Sequence, residues 1–218
     1  MTNDVSIKKL ILVPALITLA VTLLRLTGEL MHWSKALFNP AAGGGGALVG
    51  IAWLVPVFGV YFGLKLAGAG LAPAAVGPAI GYSVLGFALV PALGFGAVKL
   101  GLSPQSFGAF ALFIVLGIVG AVIAYRAWPA LGRVLLAYGL AARVPVAIVM
   151  LVAILGRWGT HYDVAPQNLS AMNPIAKWLL IGLLPQLTIW IWFTIAAGLI
   201  FGAVAVAATG RARHPATA

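Results

Sequence analysis

Cysteine is absent from this chain of 218 residues, and Asp and Glu together number 3: Asp4, Glu29 and Asp163. Without cysteine there are no disulfides, thiolate metal sites, thiol nucleophiles or cysteine-held iron–sulfur clusters. Three scattered carboxylates cannot assemble the Mg²⁺ cluster that enzymes of pyrophosphate-linked lipids need. Histidine is nearly as scarce, and His32, His161 and His214 all fall at segment ends, which argues against a haem held by paired histidines at membrane depth. The sequence therefore predicts neither cofactor nor metal.

Charge of any sign is scarce too. Charged residues make up 7% of the chain and hydrophobic ones 63%, whereas a soluble domain carries about 25% charged residues. The net charge of +10 does not indicate a nucleic-acid binder, because its 13 Lys and Arg stand singly or in pairs and form no basic stripe. Most lie where hydrophobic segments end, where their stems reach the headgroups and meet anionic lipid.

What remains is lipid-soluble sequence. The stretches Leu66 to Val98 and Gly101 to Tyr125 contain no charge, and each exceeds the roughly 20 residues that cross a hydrocarbon core of about 30 Å. The pattern predicts an all-α integral membrane protein, a bundle of about six transmembrane helices, several interrupted by Pro or Gly. It forms a single transmembrane domain over 1–218, with spans near 10–33, 47–66, 79–100, 107–125, 130–155 and 176–207. Six spans put Lys8, Lys9, Lys65, Arg126, Arg133, Arg211 and Arg213 on one side and Arg25, Lys35, Lys99, Arg157 and Lys177 on the other. That bias predicts cytoplasmic termini in a bacterial-type inner membrane.

The segment Asn39 to Gly46, NPAAGGGG, reads as a flexible connection. It is no phosphate cradle, since no Gly-Lys-Ser/Thr follows it.

Candidate site residues are few. Arg143 falls near the middle of the fifth span, where an Arg costs about 2.5–3.5 kcal/mol on insertion scales and generally faces a bundle interior or a wet cavity. Pro145, two residues on, predicts a break in that helix through which water or solute reaches the guanidinium. Arg25 and Glu29 stand four apart on the first helix and can pair along its face. Glu29 is the only carboxylate within a span, hence the first candidate counter-ion for Arg143 and an alternative proton or cation site. In the polar loop Gly156 to Asn173, His161, Tyr162 and Asp163 follow one another. A His beside a carboxylate suits general-base or ligand chemistry, but one His and one Asp fall short of a zinc set. Trp158 and Tyr162 read as interfacial belt residues.

Transport or permeation of a small, anionic solute through Arg143 and Arg25 heads the functional expectations. The alternatives are a non-catalytic accessory or scaffold subunit of a larger membrane complex, and an interfacial membrane enzyme using His161, Asp163 and Glu29. Expected partners are membrane lipids, including anionic ones, a small anionic solute, and other membrane proteins or further copies of the chain.

Overall fold

The computed structural model describes residues 5–104, 106–166, 169 and 171–210. Asp4, Gln105, Arg211, Arg213 and His214 lie outside the described residues. Six long helices follow one another: α1 (Ile7–Leu30), α2 (Leu54–Gly68), α3 (Val76–Lys99), α4 (Phe107–Ala127), α5 (Pro129–Gly156) and α6 (Pro174–Ala208). All but α2 are long and apolar enough to cross a membrane. At 15 residues α2 is about 22 Å long.

Local chemistry sets several helix ends. Ser106 accepts the Ala109 amide at the start of α4, and Asn173 accepts the Ala176 amide ahead of Pro174 in α6. Arg157, in the left-handed conformation, closes α5. The expected start of α2 near Ala47 is corrected to Leu54. Although apolar, residues 47–53 are held as a loop: Leu48 and Val49 donate their amides to the carbonyls of Ala36 and Leu37.

Helix α6 forms the centre of the bundle, packed against α2, α3, α4 and α5. Small residues permit this. A Cβ on Gly63 would stand 2.8 Å from Gly202 Cα, so α2 and α6 meet backbone to backbone through Gly63/Gly202 and Gly59/Gly198. Both pairs advance along the two helices together, so α2 and α6 run parallel. Trp192 of α6 fills the space left by Gly117 and Gly120 of α4 and donates its indole N–H to the Gly86 carbonyl of α3 at 2.8 Å. Gly63→Ala is expected to lower stability by about 1–3 kcal/mol, because neither backbone can yield to the added methyl; thermal unfolding in detergent measures this.

The short connections, 69–75 and Trp128, lie at the end of the bundle where α1 begins and α6 finishes. The connections that follow α1, α3 and α5, beginning at residues 31, 100 and 157, start at the opposite end, called here the loop end. Towards the terminal end the interior is solid: Phe58, Phe62 and Tyr138 pack ring to ring at 5.4 and 6.2 Å above the buried Leu131, Leu135 and Leu199.

Candidate anion-binding cavity

A cavity of about 650 Å³ opens among the loop-end halves of α1, α5 and α6 and the segment 43–53. Its polar lining includes Thr22, Arg25, Arg143, His161, Tyr162 and Gln186; neither Glu29 nor Asp163 is in it.

Arg25 is held rigidly. Its Nε donates to Glu29 Oε1 at 2.8 Å, and its Nη2 donates to the carbonyls of Gly44 at 2.8 Å and Asn39 at 3.2 Å. The glycine run, expected to be a flexible connection, is thus folded over the guanidinium. Gly43, Gly44 and Gly46 take positive φ of 76°, 69° and 75°, a backbone region that suits residues lacking Cβ. A Cβ on Gly44 would also lie 2.7 Å from the His161 ring.

Glu29 is fully committed. Its Oε1 also accepts from His161 Nδ1 at 2.6 Å, and its Oε2 accepts the His161 backbone N–H at 2.8 Å. One carboxylate thereby ties the end of α1 to the loop 157–173. Burial holds the His161 imidazole below its ordinary value; Glu29 pulls it upward, and Arg25 adds to the depression. A neutral ring with its proton on Nδ1 fits the bond to Glu29.

Tyr162 is not a belt residue. It is 3% exposed, and its hydroxyl donates to the Thr22 carbonyl at 3.1 Å, a partner that the interface does not offer. Asp163 structures its own loop, accepting the amides of Gly159 and Thr160 and the Thr160 hydroxyl at 2.7–2.9 Å. The three consecutive residues therefore point to three different partners. Among the described residues no three His, Cys, Asp or Glu side chains gather as a metal site.

Arg143 lies inside the bundle, 3% exposed, 13 residues from the end of α5, or about 20 Å deep. Its guanidinium carbon stands 4.4 Å from the centroid of the Trp190 ring, and its Nη1 reaches Gln186 Oε1 only at 3.5 Å, beyond a good hydrogen bond. Its Nε has no hydrogen-bond partner. Glu29, the expected counter-ion, instead forms an ion pair with Arg25 and a hydrogen bond with the neutral His161 ring.

The expected break at Pro145 is absent: α5 runs unbroken through it. The interruption lies across the cavity, in α6. There Trp178–Leu183 widens into a π-helix, and Thr188 leaves helical geometry at φ −121° and ψ −72°. Pro185 supplies no amide for the ladder, and the Thr188 hydroxyl caps the Leu184 carbonyl at 2.6 Å. Gln186 and Trp190 flank this break. Sequence reasoning missed both, although a Gln beside a Pro inside an apolar span was a usable signal.

The bundle and its buried cations define an α-helical integral membrane protein with a polar internal cavity. No protein-family model matches the chain, nor does any curated protein or solved structure.

Proposed function

We propose that the chain binds a small anionic solute at Arg143 and passes it across the membrane. One observation carries this reading: a deeply buried guanidinium, with no carboxylate paired to it among the described residues, lines a cavity large enough for a small molecule. An unpaired buried cation is costly by several kcal/mol, and a bound anion offsets that cost with charge-assisted hydrogen bonds from Nε and the terminal nitrogens. Arg25 adds a second positive wall, already neutralised by Glu29, so Arg143 supplies the net charge.

The same reading places the chain in a bacterial-type inner membrane with cytoplasmic termini, so that the cavity faces the opposite compartment. Counting Arg25 as a buried, paired group rather than a peripheral charge strengthens the bias of Lys and Arg toward the terminal end. Anionic lipid is the expected neighbour of Lys8, Lys9 and Lys65.

Purified protein in vesicles, assayed against inorganic anions and small carboxylates, tests the proposal. The expected result is saturable flux of at least one anion, reduced about 100-fold or more by Arg143→Gln, a loss of roughly 2.7 kcal/mol. Flux of no anion, or flux indifferent to the substitution, would sink it.

A further inference from the structure

A second cavity of about 340 Å³ lies between α3, α4 and the start of the unbroken part of α6. Gly94, Phe95, Val98, Phe110, Phe113 and Ile189 are among its walls, and none of its lining side chains is polar. It adjoins the arginine cavity. Phe110 borders both, and the consecutive residues Ile189 and Trp190, just past the break in α6, line one cavity each. Phe95, 66% exposed, forms its outer lip.

Resting on the reading above, we infer that the ligand is an anionic amphiphile, its head at Arg143 and one acyl chain in the apolar cavity beyond Phe110. The charge of the first cavity selects the head. The size and wholly apolar lining of the second fit a hydrocarbon tail, and its exposed lip lets that tail enter sideways from the bilayer. Burial from water does not drive the tail, since lipid is as apolar as the cavity wall. The advantage of an amphiphile is instead local concentration: the membrane gathers it beside the lip, whereas a free anion arrives from the aqueous phase. Gly94 and Ala109 keep the second cavity open, and a Cβ on Gly94 would meet only Phe113, at 3.5 Å, an ordinary contact. A side chain added at Gly94 therefore enters the space without meeting backbone at its Cβ, and Ala109 lines the same cavity.

The test uses the full chain in zwitterionic nanodiscs with dodecyl phosphate and inorganic phosphate as probes, read by native mass spectrometry and equilibrium dialysis. After subtraction of retention by protein-free nanodiscs, dodecyl phosphate is expected to be held at least about tenfold better than inorganic phosphate. Gly94→Leu, and independently Ala109→Leu, are expected to reduce its retention about tenfold while leaving inorganic phosphate unaffected; Arg143→Gln is expected to abolish both. If both probes bind alike and the filling variants change nothing, the tail site is overturned and the anion site stands. Failure of the wild-type protein to bind either probe overturns both.

Discussion

Replacing Arg143 by methionine is expected to abolish anion binding and to raise the stability of the empty protein by about 1–2 kcal/mol, an increase of roughly 2–8 °C in Tm. Opposing terms decide the sign. The guanidinium gains about 2 kcal/mol from the Trp190 ring and little from Gln186 at 3.5 Å. Against this stands the desolvation of a full charge with an unpartnered Nε, several kcal/mol even after relaxation. Methionine has a similar reach and enough flexibility to lie along the same ring. Thermal unfolding and ligand titration on one preparation check both halves. A variant that is less stable yet binds anions normally would show that Arg143 is a structural residue.

Glu29→Gln is expected to be far more damaging, at about 3–5 kcal/mol, because it leaves Arg25 buried without a countercharge and weakens the link to His161. The same cluster makes the fold acid-sensitive. His161 sits below its ordinary value in the folded chain, with Arg25, Glu29 and Asp163 as the charges acting on it. On acidification the unfolded chain therefore takes the proton first, near pH 6.5. The stability contributed by neutral His161 is present above that pH and is lost as pH falls below it, levelling off beneath the folded value. Unfolding midpoints measured across this window should fall for the wild type and fall less for His161→Gln. Identical slopes would remove His161 as the cause.

Much of the helical architecture was legible because lipid imposes one rule, long apolar runs with few charges, and α3, α4 and α5 are such runs. Arg143 was legible for the complementary reason: a charge at mid-span demands an interior position. The start of α2 was not legible, since Ala47, Leu48 and Val49 are as apolar as the helix they precede. In the structure Leu48 and Val49 instead donate their amides to the carbonyls of residues 36 and 37 within a loop. Pro145 and Pro185 look alike in sequence, yet α5 continues through one, while around the other α6 widens and then breaks at Thr188. The convergence of Glu29 with His161 joins residues 132 positions apart, and no local pattern encodes it.

The packed rings of Phe58, Phe62 and Tyr138 bear on kinetics. The cavity at Arg143 opens toward the loop end, while toward the terminal end it is closed by a plug of aromatic and aliphatic side chains, itself fastened by the Tyr138–Thr18 hydroxyl contact at 2.8 Å. This geometry is that of a vestibule rather than a pore. If the chain passes a solute as proposed, α5 and its neighbours would have to part and close again at every cycle, and throughput would be set by helix motions on the microsecond-to-millisecond scale or slower and not by diffusion along a water column.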